Sequence, residues 1–263
     1  MGHPIYHLEL EATDCRAEAR LNGFPVLSLS SANGVAVRFA PPVNPYLCGA
    51  RNQLEVTLHA ATRPSGDLTT FGDAAVRGNV RRFEKGGIVA PGTGTIVVEF
   101  GITDELRDRV RDEKLELPIS FSVPFGNEAV DFSAELLEAP AFDDTEALLD
   151  YALRLRDMVA AGDAAAITAE AEPKSRVWSL AYARPAQEYD DALRDALGEF
   201  FGGRPIADFG RDDVELTRCC DGRIWRLARR PGQPLLESVL ADKSRRRIPV
   251  HVGVRDGSLR VVR

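Results

Sequence analysis

The chain has 263 residues, a formal net charge of −7 at neutral pH and an apolar fraction of 44%. This length favours two domains of roughly 150 residues each, and the apolar fraction is sufficient for buried cores. The acidic balance argues against general nucleic-acid binding, and no stretch approaches the roughly 20 apolar residues that a membrane helix needs.

Residues 1–140 have the pattern of an antiparallel β-sandwich. Apolar and polar side chains alternate in short runs that turn residues separate, as in strands with one buried face. Asn22-Gly23 lies between two such runs and predicts a type I′ hairpin turn. A helical pattern covers 103–114, where Thr103 can cap the first turn. The predicted strands are 6–10, 15–21, 24–30, 34–40, 53–60, 74–83, 95–100, 117–123 and 129–138.

One phrase in this part, at 43–58, reads VNPYLCGARNQLEVTL. It resembles a turn of the G-x-N-x-L-x-V kind in jelly-roll domains of the galactose-binding type, with Gly49, Asn52, Leu54 and Val56 as the matching residues. Two residues rather than one separate the glycine from the asparagine. The resemblance implies a sandwich fold more than a sugar site, and we expect Asn52 to bond backbone at the turn.

Residues 141–263 have the pattern of an α+β domain in which helices precede a curved antiparallel sheet. A proline- and acid-rich linker at 139–146 leads into helical periodicity, and alternating strands follow it. The helical stretches are 145–162, 164–172, 175–183 and 185–203. The strand stretches are 214–219, 223–229, 234–240, 248–254 and 259–263.

The stretch 148–173 reads LLDYALRLRDMVAAGDAAAITAEAEP. A helix, a break at Gly162-Asp163 and a short second helix resemble the nuclear-transport-factor-like α+β cone, the fold of ketosteroid isomerase and the polyketide-cyclase-like proteins. The resemblance implies a pocket between the helices and the concave sheet face, and dimerisation through the sheets. Strands commonly appear between the helices of that family, so helices on one face of another antiparallel sheet are the alternative.

Five residues of the second domain are candidates for lining such a pocket: Tyr182, Tyr189, Asp190, Trp225 and His251. Ketosteroid isomerase uses aspartate and tyrosine side chains in its pocket, so the resemblance implies proton-transfer chemistry. Each candidate also has a structural interpretation. Asp190 fits a solvated helix flank, Trp225 fits a core position, and His251 fits a structural or solvent-facing histidine.

The last part of the chain is a basic block within an acidic protein. Residues 218–263 carry 12 basic and four acidic side chains, whereas residues 141–217 carry eight basic and 17 acidic ones. The arginines at 243–247 are expected at a loop tip. The favoured interpretation is that the block pairs with the acidic helices; the alternative is an anion or acidic-partner site. The candidates for that site are Arg226, Arg245, Arg246 and Arg247.

The four cysteines, Cys15, Cys48, Cys219 and Cys220, show neither metal-ligand spacing nor a nearby histidine. We therefore expect reduced thiols, no metal and no cofactor. The first residues lack the basic and apolar regions of a secretory signal peptide, which favours a soluble, cytoplasmic protein.

The sequence thus predicts a two-domain α+β protein, with an antiparallel β-sandwich over 1–140 and an α+β domain over 141–263. The expected role is non-catalytic binding of a protein partner or a small ligand, because no motif assembles a nucleophile with a base. The alternatives are a proton-transfer enzyme in the second domain and carbohydrate binding by the sandwich. Nucleic acid and membranes are not expected partners, while a homodimer is compatible with the pattern.

Overall fold

A computed structural model describes residues 4–84, 90, 93–128, 131, 137–201, 206–230, 233–239 and 245–263, without the side chains of Phe200, Val239 and Arg246. The chain divides into two compact units, Met1–Ser133 and Ala134–Arg263. Antiparallel sheets make up the first unit, and helices followed by antiparallel strands make up the second, so the predicted α+β class is confirmed. Most of the predicted strand at 129–138 lies outside the described residues.

The first unit is a sandwich of two four-stranded antiparallel sheets. One sheet has the order β4-β1-β6-β7 and the other has the order β3-β2-β5-β8. The predicted strand at 34–40 is reduced to the three residues of β4. The strands are β1 (Ile5–Thr13), β2 (Cys15–Leu21), β3 (Phe24–Ser31), β4 (Val37–Phe39), β5 (Asn52–His59), β6 (Ala75–Phe83), β7 (Thr95–Gly101) and β8 (Ile119–Phe125).

Period-two burial holds the two sheets together. In β1 every second side chain is buried, including Leu8 and Leu10, and β5 buries Leu54 and Val56 in the same way. Each large apolar side chain that is fully buried stabilises the fold by about 1.5–3 kcal/mol relative to exposure. The alternation that identified these strands in the sequence is therefore also the source of their stability.

Polar side chains fix the connection into β5. Asn52 Oδ1 accepts hydrogen bonds from the Cys48 backbone N–H at 2.8 Å and from Asn22 Nδ2 at 2.9 Å. Asn22 and Gly23 have φ values of +52° and +81°, as a type I′ turn requires, and Gly49 has a φ of +55°. The predicted structural role of Asn52 at this turn is confirmed.

An amphipathic helix, α1 (Asp104–Glu113), follows β7 and precedes β8 in the chain. The Thr103 hydroxyl oxygen accepts a hydrogen bond from the Leu106 N–H at 3.2 Å, which confirms the predicted cap. Leu106 and Val110 form its buried stripe.

Four helices open the second unit. Asp144 and Asp163 accept hydrogen bonds from the backbone at the start of the first two, with distances of 3.0 Å and 2.9 Å. Their apolar stripes bury Leu148 and Leu155, among others, in one core. The helices are α2 (Thr145–Ala160), α3 (Ala164–Glu170), α4 (Glu172–Tyr182) and α5 (Ala186–Phe201).

Antiparallel strands complete the second unit. Strand β10 pairs with β9, β11 and β14, and β14 pairs with β15, while β12 and β13 form a separate hairpin. The prediction of a loop tip at 243–247 is wrong for residues 245–247, because they pair with β12. The strands are β9 (Val214–Cys219), β10 (Ile224–Arg229), β11 (Gln233–Pro234), β12 (Leu236–Val239), β13 (Arg245–Ile248), β14 (Val250–Arg255) and β15 (Ser258–Val261).

The core of the second unit lies between the helices and one face of this sheet. Trp225 and Leu227 from β10, with Val250 and Val252 from β14, belong to the same buried cluster as the helical leucines. Since neighbouring side chains of a strand point to opposite faces, the residues between them point away from this core.

Two glycine substitutions test the packing of the two units. Gly198 lies in α5, and a Cβ added there meets no atom within 4 Å, so Gly198→Ala should raise the free energy of unfolding by about 1 kcal/mol through helix propensity. In β6, a Cβ at Gly78 would overlap the Glu9 carbonyl oxygen and the Phe100 ring. Gly78→Ala should therefore destabilise by about 1–3 kcal/mol. Urea unfolding measures both, and equal effects of the two variants would contradict this packing.

Candidate functional site

The residues that the sequence proposed for a pocket fall in three separate places. Tyr182 on α4 and Tyr189 on α5 both contact the Trp178 ring, with centroid distances of 5.5 Å and 6.1 Å. Burial raises the pKa of Tyr189, and the nearby Glu188 carboxylate adds to this effect. Asp190 follows on α5 with its Oδ1 atom buried and without a hydrogen-bond partner in the described structure. We call Trp178, Tyr182 and Tyr189, on α4 and α5, the aromatic cluster.

Trp225 belongs to the core. It is 9% exposed, and its indole Nε1–H donates a hydrogen bond to the Phe142 carbonyl oxygen at 2.7 Å. Its polar atom is therefore already satisfied inside the protein. Trp225 therefore occupies a core position, as its structural interpretation predicted.

His251 and Arg226 were proposed for different kinds of site, yet they are direct cross-strand neighbours. His251 on β14 is paired with Arg226 on β10, next to the pair of Trp225 and Val252. The two side chains consequently point to the sheet face opposite the helical core. His251 is only 6% exposed, and neither of its ring nitrogens has a hydrogen-bond partner in the described part of the chain.

Lys174 joins this pair from the first turn of α4. Burial lowers the pKa of His251 to about 3, and the positive charges of Lys174 and Arg226 lower it further, against a smaller opposing effect of the Arg263 backbone. Burial also lowers the pKa of Lys174 to about 8, with a smaller contribution from Arg263. At neutral pH the site therefore holds a neutral imidazole close to cationic groups.

We call Lys174, Arg226 and His251 the basic cluster. Neither the Lys174 nor the Arg226 side chain forms a hydrogen bond or an ion pair with any residue that the structure describes. A cavity of about 70 Å³ is lined by residues of α4 and of the β14–β15 region, among them the chain neighbour of Lys174, but by none of the three members of the cluster. The lining residues include Pro173, Val177, Arg255, Val262 and Arg263.

Sequence reasoning missed Lys174, although one signal for it exists. A lysine in the first turn of a helix opposes the helix dipole, which favours acidic side chains there. Glu172 and Pro173 mark the start of α4, so Lys174 lies at this unfavourable position. A cation placed against the dipole is a reason to look for a role outside the helix.

The arginines of β13 form ion pairs with a carboxylate of the neighbouring strand β12. Glu237 on β12 is 5% exposed, and its oxygens lie 3.0 Å from Arg245 Nη1, 2.8 Å from Arg247 Nε and 3.5 Å from Arg229 Nη2. Burial alone would raise the pKa of Glu237, but the Arg247 hydrogen bond and the three positive charges outweigh it and lower the pKa. The side chain of Arg246 lies outside the described residues. The proposed anion-site arginines Arg245 and Arg247 thus face a carboxylate of their own hairpin.

A second buried carboxylate, Glu170 on α3, receives the arginine of β15. Its oxygens lie 3.0 Å from Arg154 Nη1 and 3.4 Å from Arg260 Nη1, and the Tyr151 hydroxyl donates to Oε2 at 2.7 Å. Burial raises the pKa of Tyr151, and this hydrogen bond raises it further. Arg260 agrees with the expectation that the basic block pairs with acidic helices, whereas Arg245 and Arg247 pair within a hairpin.

The sandwich has a depression of about 330 Å³ on the outer face of sheet β4-β1-β6-β7. Its charged side chains interact with each other. Arg77 Nη2 lies 2.7 Å from Glu11 Oε1, Arg38 pairs with Glu9, and Arg81 Nε donates to Asn79 Oδ1 at 3.0 Å. This surface is a compensated ion-pair network.

No protein-family model, no curated protein and no solved structure matches this chain. Within the described ranges, no group of three or more His, Cys, Asp or Glu side chains could hold a metal ion. No helix of the described structure has the length and apolar character needed to cross a membrane. The chemistry of the site, rather than the fold or a relative, has to indicate the function.

Glu237→Gln tests the compensation within the arginine hairpin. The amide would leave the surrounding arginine charges without a counterion, so we expect a loss of about 2–4 kcal/mol in the free energy of unfolding, reduced because Arg245 and Arg247 are half exposed. Glu199→Gln, at an exposed helical position, is the control and should change stability by less than about 0.5 kcal/mol.

The lowered pKa of Glu237 also predicts how the stability of the fold depends on pH, and Glu237→Gln tests this prediction. The folded-state pKa of Glu237 is lowered, so its contribution is present above the unfolded value of about 4.3 and is lost as pH falls through the folded value. Chemical unfolding at pH 6 and pH 3 should show a larger acid loss in the wild type than in Glu237→Gln. Equal acid losses would show that Glu237 does not hold these arginines.

Proposed function

We propose that the protein is a non-catalytic binding protein and that the basic cluster of the second unit is its ligand site. The observation that carries this proposal is His251, which is 6% exposed while both of its ring nitrogens lack a described partner. A buried polar group without a partner costs roughly 1–3 kcal/mol. A ligand that supplies the missing hydrogen bonds would offset this cost on binding.

The protonation state of His251 favours binding over catalysis. A general base works best when its pKa lies near the operating pH. Burial and the neighbouring cations lower the pKa of His251 to about 3, so the imidazole is a weak base at neutral pH. It can still donate one hydrogen bond and accept another to a bound molecule.

The aromatic cluster supports a second candidate function, the proton-transfer enzyme. Trp178 Nε1 and Asp190 Oδ1 are both buried and lack described partners, close to the hydroxyl-bearing Tyr182 and Tyr189. Steady turnover of a hydrophobic carbonyl substrate that Asp190→Asn abolishes and His251→Leu preserves would favour this candidate over the basic cluster.

We also propose a cytoplasmic location and a small-molecule ligand. All four cysteines are reduced thiols, which suits a reducing compartment. The small-molecule ligand is supported by the burial of His251, which is 6% exposed and therefore more accessible to a small chemical group than to a protein surface.

A thermal-shift screen with small molecules of varied charge tests the binding function. At least one class of compound should stabilise the wild type, by about 2.7 kcal/mol at one hundred times its Kd. His251→Leu removes the buried ring nitrogens without adding a charge and should abolish that stabilisation. Arg194→Met, which removes an exposed helical arginine of the same unit, should retain it. Equal responses of both variants, or no stabilising compound at all, would contradict the proposal.

A further inference from the structure

We infer, on the basis of the proposed binding function, that the ligand of the basic cluster is an oxyanion, a small molecule that presents a carboxylate, phosphate or sulfate group to Lys174, Arg226 and His251.

The donor inventory of the cluster requires a ligand rich in acceptors. A lysine ammonium offers three N–H donors and an arginine guanidinium offers five, and neither accepts a hydrogen bond. A neutral histidine offers one further donor. Oxyanions match such a set because each oxygen accepts several charge-assisted hydrogen bonds, and a guanidinium can grip two oxygens at once.

The other charged clusters of the second unit show what is missing from this one. Three arginines surround the buried Glu237, and Arg154 and Arg260 meet the buried Glu170. In both cases a buried carboxylate sits among the cations. The basic cluster has the cations and a buried histidine, but within the described residues no carboxylate pairs with Lys174 or Arg226. An anion from outside the chain would complete the same arrangement.

The cavity lined by α4 and the β14–β15 region has room for such a group. A volume of about 70 Å³ exceeds the roughly 10–15 Å³ that one water needs in the same measure. Its lining holds Arg176, Arg255 and Arg263 with one acid, Asp256, and Arg176 Nη2 lies 2.9 Å from Glu172 Oε1. A mostly cationic lining attracts anions and disfavours cationic ligands.

Sulfate is the first probe, because it does not titrate near neutral pH. Sulfate should raise the melting temperature of the full chain more than sodium chloride of equal ionic strength. Arg226→Met should weaken sulfate binding at least tenfold by calorimetry, while Arg194→Met should stay within twofold of the wild type. Arg226→Met and Arg194→Met remove the same charge, so their equal behaviour would overturn the inference as non-specific screening.

Histidine NMR gives a readout that does not depend on stability. The chain has four histidines, and His251→Leu identifies the fourth ring signal by its loss. Sulfate should change the chemical shifts of the neutral His251 ring, because a bound oxyanion accepts a hydrogen bond from its N–H. A His251 signal that does not respond to saturating sulfate would also overturn the inference.

The pH dependence provides a further check. The groups facing His251 are Lys174 from α4, Arg226 from β10 and Arg263 after β15. Lys174 has a pKa of about 8, so sulfate affinity should fall as pH rises through that value and this charge is lost. Lys174→Met should flatten this fall, and an unchanged pH profile in that variant would contradict a role for Lys174.

The experiment separates failure of the ligand class from failure of the proposed function. If neutral compounds stabilise the wild type but not His251→Leu, and sulfate has no effect, the site binds ligands and the oxyanion inference is wrong. If neither neutral nor anionic compounds respond to His251→Leu, both are wrong. Acetate and inorganic phosphate in parallel decide whether the site prefers a carboxylate or a tetrahedral oxyanion.

Discussion

The antiparallel register between β10 and β14 determines where the candidate ligand site lies. It pairs Trp225 with Val252 and Arg226 with His251. Because Trp225 and Val252 are buried against the helices, the next residue along each strand has to point to the other face. A shift by one residue would exchange the two sets and bury a guanidinium in an apolar core, at a cost of several kcal/mol. The core therefore holds the arginine and the histidine side by side.

Charge compensation distinguishes this face from the rest of the second unit. Glu237 and Glu170 are buried acids, and each is held by arginines from neighbouring elements. Buried charges are tolerated in proteins when they are paired in this way. Lys174 and Arg226 have no such partner in the described structure. Burial lowers the pKa of His251, and the positive charges of these two residues lower it further. Among the described side chains, Glu237 and Glu170 are thus compensated and Lys174 and Arg226 are not, and this contrast is the basis of the proposed ligand site.

Local sequence patterns predicted most of the elements because those elements depend on nearby residues. Alternation in β1 and β5 gave the strands, Asn22-Gly23 gave the turn, and Thr103 gave the start of α1. Strand β4 is shorter than its pattern: Gly34 has a φ of +74°, outside the extended region, and Pro41 and Pro42 follow the strand and cannot donate to a ladder. The loop tip expected at 243–247 failed for a different reason: its basic side chains obscured a strand that pairs with β12.

The candidate site was only partly predictable. Arg226 and His251 were both identified, but the sequence could not show that they are neighbours, because they are 25 positions apart and their register depends on the sheet. Lys174 comes from a helix that packs near this sheet, so its proximity is a tertiary property. The partner of Arg245 and Arg247 was predicted wrongly for a related reason. Glu237 lies within the basic block, whereas the composition of the chain directed attention to the acidic helices.

The uncompensated cluster also explains why binding is the favoured role. A site that holds cations close together without a counterion is destabilised in the absence of ligand, so part of the binding free energy would come from relief of that repulsion. Such a site discriminates by charge first and by shape second, because its donors match many oxyanions. A catalytic histidine would instead need a pKa near neutrality, and here burial, together with the charges of Lys174 and Arg226, moves the pKa of His251 in the opposite direction.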